Sequence, residues 1–248
     1  MFDGFYSIVI HQYAYNWIGA NVMLKIENKQ MSESYLLGAL LAVVGGYLDA
    51  YTYISRGKVF ANAQTGNIIL GGLNLAERNW TKSLYYMIPI LAFVLGVYIS
   101  DMIKNKYKEN TSFHWRQIVV LIEIAVLFSV AFIPQGAMDV IANTAVSFVC
   151  SLQYGSFRKF TTTMCTGNLR SATDLLFMYR QTKNKQSGKN SLQIYGIILF
   201  FVVGVVFGTH LTQSFMEKAV LFSCIILIFV FTIMFVKEDM GAFKKKCG

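Results

Sequence analysis

Apolar residues fill long stretches of this chain, and polar residues gather between them. Six runs of roughly the 20 residues that a membrane-crossing helix needs begin near Tyr35, Leu84, Gln117, Asp139, Leu192 and Ala219. They predict an all-α membrane protein with six transmembrane helices. Between the first and second runs, and again between the fourth and fifth, lies a shorter segment that opens on the same tripeptide, Thr65-Gly66-Asn67 and Thr166-Gly167-Asn168.

The tripeptides stand 101 residues apart, and a three-residue gap sets Asp49 of the first half against Gln153 of the second. Further on, Phe93-Val94-Leu95-Gly96-Val97 reads against Phe201-Val202-Val203-Gly204-Val205 at an offset of 108, the difference being a polar insert around Lys183 to Asn190. Each unit is then a span, a Thr-Gly-Asn segment and two more spans. The chain divides into an N-terminal extension (1–34), repeat unit 1 (35–135), repeat unit 2 (136–236) and a basic tail (237–248). Three spans per unit is an odd number, so the units run through the membrane in opposite directions as inverted repeats. Thr65 to Ala76 makes only about 18 Å of helix, short of a ~30 Å hydrocarbon core, which predicts re-entrant half-helices buried in protein.

With 55% hydrophobic and 14% charged residues, the composition departs from the soluble average in the membrane direction. The net charge of +9 would suggest nucleic acid in a soluble protein, but here basic residues sit at the ends of apolar runs, and nucleic-acid binding is discounted. If the Thr-Gly-Asn segments do not cross, 17 of the 22 basic residues share one side, leaving Arg56, Lys58, Arg78, Lys82 and Lys218 on the other. If both cross, the split falls to 12 against 9, with Arg170 stranded in a span. The positive-inside rule thus favours six spans in a bacterial cytoplasmic membrane with both termini cytoplasmic. Phe5 to Leu24 is moderately apolar but carries His11, Gln12, Asn16 and Asn21 and lacks a signal peptide's basic start and cleavage site. An interfacial helix, or a segment upstream of a true start at Met31, fits it better than an extra span.

The segments Gly45-Gly46-Tyr47-Leu48-Asp49-Ala50, Val59-Phe60-Ala61-Asn62-Ala63-Gln64-Thr65-Gly66-Asn67 and Thr161-Thr162-Thr163-Met164-Cys165-Thr166-Gly167-Asn168 resemble the YoaK family of bacterial multi-pass membrane proteins. The resemblance covers roughly Met31 to Val236. It implies the architecture and, because the family has no assigned substrate, no chemistry. Where the family pattern has Gly-Leu-Gln, this chain has Ser151-Leu152-Gln153.

Candidate chemistry begins with Asp49, a carboxylate deep in the first span, where an ionised group costs about 3 kcal/mol on insertion scales. It is either a binding or protonation site or a structural acceptor for helix ends or nearby Thr and Asn groups. Gly45 and Gly46 allow a neighbouring backbone close to it. Thr65 and Thr166 read as N-caps, Gly66 and Gly167 as points of close approach, and Asn67 and Asn168 as side-chain donors and acceptors. Two such N-termini would aim partial positive charge at the midplane, which suits a small anionic solute. A tight helix crossing that merely needs glycine is the structural alternative. Asp49 and Gln153, each ~21 Å into its span from opposite faces, would stand ~12 Å apart. The expected substrate-binding set is Asp49, Gln64, Thr65, Gly66, Asn67, Gln153, Thr166, Gly167 and Asn168, with Gly66 and Gly167 projecting into the shared space.

Glu123 is, with Asp49, a candidate for proton coupling, though snorkelling or pairing with a basic group fits it better. Arg170 and Asp174 read as a helical i,i+4 ion pair. Lys244-Lys245-Lys246 suits anionic lipid headgroups or sets orientation. Cys150, Cys165, Cys224 and Cys247 form no CxxC pair, and His11, His114 and His210 are scattered, so no metal site or cofactor is indicated. No phosphate-binding Gly-x-x-x-x-Gly-Lys loop and no HExxH or GxSxG hydrolase signature occurs, which argues against an enzyme. The expected function is a transporter or channel-like permease for a small solute, the alternative being a non-transporting membrane scaffold or sensor. The lipid bilayer and the unidentified solute are the expected partners, and a homo-oligomer is compatible with these features.

Overall fold

The computed structural model describes residues 34–107, 115–157 and 163–246, with residues 235–246 described by backbone alone. Residues 1–33 of the N-terminal extension, with His11, lie outside the described residues, as do His114, Thr161, Thr162 and Cys247. The side chains of Lys244 to Lys246 lie outside the description too.

Eight α-helices follow one another among the described residues: α1 (Tyr35–Ser55), α2 (Gln64–Ala76), α3 (Trp80–Tyr107), α4 (Trp115–Val130), α5 (Asp139–Ser156), α6 (Cys165–Thr182), α7 (Lys185–Phe215) and α8 (Val220–Lys246). A single 3-10 turn, Met216–Ala219, joins the last two. No strand occurs among the described residues. Among the described residues three stretches are long and apolar enough to cross a membrane: α1, α3, and Lys185–Met234, which holds α7 and the first half of α8. By length alone α2 is the shortest α-helix among the described residues, at 13 residues.

Helix packing pairs the two units reciprocally. α1 packs chiefly on α7 and α3 chiefly on α5; α2 lies on α3 as α6 lies on α7; α4 touches α5 as α8 touches α1, and α4 meets α8. Exchanging α1–α4 with α5–α8 turns each of these pairings into another of the set, except α4 with α8, which maps onto itself. One hydrogen bond repeats with the same registers seen in sequence. The Ser83 hydroxyl donates to the Gly71 carbonyl at 3.0 Å, and the Ser191 hydroxyl to the Ala172 carbonyl at 2.7 Å. Ser83 and Ser191 are 108 positions apart, Gly71 and Ala172 101 apart. Each short helix is thereby tied to the long one after it.

The central helix is α1, whose Leu37, Leu41, Val44, Tyr47, Leu48 and Tyr51 are buried against apolar residues of α4, α5 and α8. The Tyr47 hydroxyl donates to the Ala219 carbonyl at 2.6 Å, and that of Tyr51 to the Glu217 carbonyl at 3.1 Å, so α1 is anchored to the turn before α8. Two crossings use small residues, as expected where helices gain no hydrophobic drive from each other and depend on close contact. At the first, a side chain on Gly46 would overlap the Phe201 carbonyl oxygen, and one on Gly204 the Val43 carbonyl. At the second, Gly96 faces Ser151, and Gly155 faces Ser100. The serine that departs from the family's Gly-Leu-Gln pattern therefore keeps the approach close, because Gly96 leaves room for its hydroxymethyl group. The Ser151 hydroxyl is satisfied locally by the Phe148 carbonyl at 2.6 Å.

Candidate functional site

The first Thr-Gly-Asn segment is positioned by hydrogen bonds that arrive from outside its own helix. α2 begins at Gln64, with Ala63 as N-cap and no side-chain cap bond. α6 begins at Cys165, with Met164 in that role and again no side-chain cap. The expected capping by Thr65 and Thr166 is therefore corrected: each threonine is the second residue inside its helix. A remote carboxylate does the equivalent work for α2. Asp49 Oδ1 accepts from the Asn62 amide at 2.6 Å and from the Ala63 amide at 3.4 Å, holding the strand of chain that leads into the helix. The Asn62 side-chain amide in turn donates to the Gly45 carbonyl at 3.2 Å.

Asn67 closes the same turn from within. Its Oδ1 accepts from the Phe60 amide at 2.9 Å, and its Nδ2 donates to the Phe60 carbonyl at 2.8 Å and to Gln64 Oε1 at 3.0 Å. Gln64 Nε2 donates to the Ala61 carbonyl and to Ser147 Oγ, both at 2.9 Å, and the Ser147 hydroxyl donates to the Pro89 carbonyl at 3.0 Å. That chain links α2, α5 and α3. Pro89 lies inside α3. Asn168, the counterpart of Asn67, is buried in the same position of α6.

The two helix starts open on one cavity of about 590 Å³. From the expected set, Asp49, Gln64, Thr65, Thr166 and Gly167 line it. Gly66, Asn67, Gln153 and Asn168 do not. Gly66 packs beneath Phe60, whose ring a side chain there would meet at 2.8 Å, whereas Gly167 has open space, its nearest neighbour being Met164 Cβ at 3.9 Å. Aromatic groups supply much of the remaining wall: Tyr53 and Phe60, stacked at 4.8 Å between centroids, Phe93 and Tyr154, 5.8 Å apart, and Phe201. Asp49 is the one charged residue among the described lining residues. It is 4% exposed, and its Oδ2 has no hydrogen-bond partner among the described residues. Asp49 is thus a structural acceptor through Oδ1, one of the two roles the sequence left open, and it carries at the cavity an Oδ2 without a partner among the described residues.

Gln153 turns elsewhere. Its amide Nε2 donates to both carboxyl oxygens of Glu123, at 3.0 and 3.2 Å, and both residues are buried. Glu123 is 0% exposed, and among the described residues its hydrogen-bond partner is the facing Gln153 amide and not a basic group. Arg170 and Asp174 do form their i,i+4 pair, at 3.8 Å and well exposed. Cys150 and Cys224 are buried in the core, Cys165 lines the cavity, and no cluster of metal-ligating side chains occurs among the described residues.

A model of the family described as "Protein of unknown function (DUF1275)" matches residues 37–233. The chain belongs to this family. A curated relative, the UPF0700 transmembrane protein YoaK of Bacillus subtilis (strain 168), is 33% identical over 73 residues, which is 29% of this chain and 32% of the relative. The match thus spans about a third of that relative's length. No solved structure matches this DUF1275 chain.

Two features of this DUF1275 member had no reading as a pair in the sequence. Arg56 is fully buried, bonding Asp139 Oδ1 at 3.2 Å, the Val130 carbonyl at 3.2 Å and the Tyr51 hydroxyl at 3.0 Å. Asp139 Oδ2 accepts from the Gly136 amide at 3.0 Å. Opposite charges ending one apolar run and starting another were the available signal. Asn62 and Cys165, inside the quoted motifs and just before or at the true helix starts, were also missed, as were the lining rings of Tyr53, Phe60, Phe93, Tyr154 and Phe201.

Proposed function

We propose that the protein is a multi-pass membrane transporter or channel-like permease for a small organic solute, with its site between the two short helices. The observation that supports this most is the convergence of both helix starts, one from each unit, on a single cavity that carries the unpartnered oxygen of a buried carboxyl. Discontinuous helices meeting at a polar site between repeats are how many secondary transporters bind their solutes. A cavity of several hundred Å³ with mostly apolar walls and few polar groups also has the make-up of a small-molecule site.

In this reading the units are inverted repeats, six helices span a bacterial cytoplasmic membrane, α2 and α6 are re-entrant, and both termini are cytoplasmic. The reciprocal packing and the repeated serine hydrogen bond support a two-fold relation between units. The 17 to 5 division of basic residues supports the orientation. No enzymatic step and no cofactor is needed.

The test is a thermal-shift screen of the detergent-purified full chain against metabolites, followed by uptake of each hit into reconstituted vesicles. A ligand that binds only the folded protein raises its apparent stability with the logarithm of concentration above Kd. Saturable uptake of a stabilising solute is the expected result. Binding without flux would reject transport and leave a sensor or scaffold.

A further inference from the structure

Three aspects of the cavity bear on what fits it. The first is the state of the first helix start: the Asn62 and Ala63 amides, which could have met an anionic solute, are taken by Asp49 Oδ1 at 2.6 and 3.4 Å. The second is Asp49 Oδ2, an acceptor on a residue 4% exposed, at the cavity and without a partner among the described residues. A buried acceptor left unpaired is destabilising, and a ligand donor that meets it relieves that penalty on binding. The third is the wall. No Lys, Arg or His is among the described lining residues, while Tyr53, Phe60, Phe93, Tyr154 and Phe201 present rings. Aromatic faces attract cations and stack on flat apolar groups.

We propose that the cavity takes a small organic cation, a primary ammonium on an aromatic or alkyl body, with its N–H groups on Asp49 Oδ2 and its body against the rings. This rests on the reading of the cavity as a solute site and replaces the expected anion with a cation. The anion expectation counted two free helix starts. In the structure the protein's own carboxyl already stands beside one of them, bonded to the two amides that lead into the helix.

A matched series of probes tests it: 2-phenylethylammonium, 2-phenylethanol and phenylacetate, nearly the same in shape and different in charge. With the full chain in detergent at neutral pH, the ammonium raises the apparent melting temperature, and phenylacetate does so about tenfold more weakly or not at all. The ammonium also slows alkylation of Cys165 by N-ethylmaleimide, which places it in the cavity. Asp49→Asn retains an acceptor for the Asn62 and Ala63 amides and puts an N–H donor where Oδ2 stands. It lowers ammonium affinity about tenfold or more and moves the preference towards phenylacetate. If that variant does not fold, the wild-type series and the Cys165 protection decide alone.

Phenylacetate stabilising as well as the ammonium, no shift with any of the three probes, or unchanged ammonium binding in Asp49→Asn would overturn the proposal. Failure of the transport reading is separable. Asp49-dependent ammonium binding without ammonium counterflow in vesicles retires transport and leaves this inference. Saturable uptake of phenylacetate that the ammonium does not inhibit does the reverse.

Discussion

The start of α2 and the start of α6 carry the same tripeptide and open on the same cavity, yet they are held and dressed differently. α2 is anchored by Asp49 from α1, and its outer surface is apolar, with Ile68, Ile69 and Leu73 exposed. At the position of the second unit that corresponds to Asp49 stands Gln153, and it faces Glu123. The positions of α6 that match Ile69 and Leu73 are Arg170 and Asp174, 82% and 69% exposed in their side chains. The backbone plan and the serine tie are thus repeated, whereas the chemistry at the positions of Asp49, Ile69 and Leu73 is not. The reciprocal packing supplies a two-sided frame, and the one charged group among the described lining residues of the cavity, Asp49, comes from one side of it.

The crossings give the sharpest way to break this comparison. Gly204→Ala drives a methyl group into the backbone of Val43, which has no rotamer with which to yield, and destabilises by about 3 kcal/mol or more. Gly155→Ala, in the other crossing, meets the Ser100 hydroxyl, which can rotate at the expense of its bond to the Val97 carbonyl, and Ser100 Cβ at 2.9 Å, which asks for a small helix shift, and costs about 1–2 kcal/mol. Denaturation midpoints of the two variants in detergent check the order. Equal losses would mean that the crossings are alike after all.

Next in size is Asp49→Ala, which strips the Asn62 and Ala63 amides of their acceptor and costs about 1–3 kcal/mol. Gln153→Ala leaves Glu123 without the donor described here and falls in the same range. Only the first should change the rate at which Cys165 reacts with N-ethylmaleimide, because only Asp49 reaches the cavity. The glycines should separate too. Gly66→Val presses on the Phe60 ring and destabilises by about 1–2 kcal/mol, whereas Gly167→Val enters open space, leaves the melting temperature nearly unchanged and narrows the cavity. The readout for Gly167→Val is weaker binding of a cavity probe at normal stability. Smallest of all is Arg170→Ala, whose exposed pair should matter by less than about 0.5 kcal/mol.

Much of this frame is legible in the sequence because apolar run length and internal offsets report directly on helices and repeats. The offsets of 101 and 108 reappear in the serine hydrogen bonds. The positions of Gly46 and Gly204 at close crossings follow from the same local logic. What sequence could not convey is direction. Whether Gln153 points to the cavity or to Glu123 depends on the rotation of α5, which run length does not encode. Thr65 looks like a cap because capping is normally a local affair; here Asp49 acts from 13 positions before Asn62. In the sequence Arg56 is one of five basic residues on the less basic side, and only the packed fold brings Asp139 to it across 83 positions.

The reciprocal packing also bears on how the chain is made. α1 finds its main neighbour, α7, in the other unit, and the Tyr47 hydroxyl waits for a carbonyl 172 residues further along. During synthesis the first unit therefore leaves the ribosome with its glycine faces uncovered and the carboxyl of Asp49 already in place. Contacts so distant in sequence form late and slowly. Until the last helices arrive, the newborn chain depends on lipid, or on the cell's insertion machinery, to shelter surfaces that its own later half will cover.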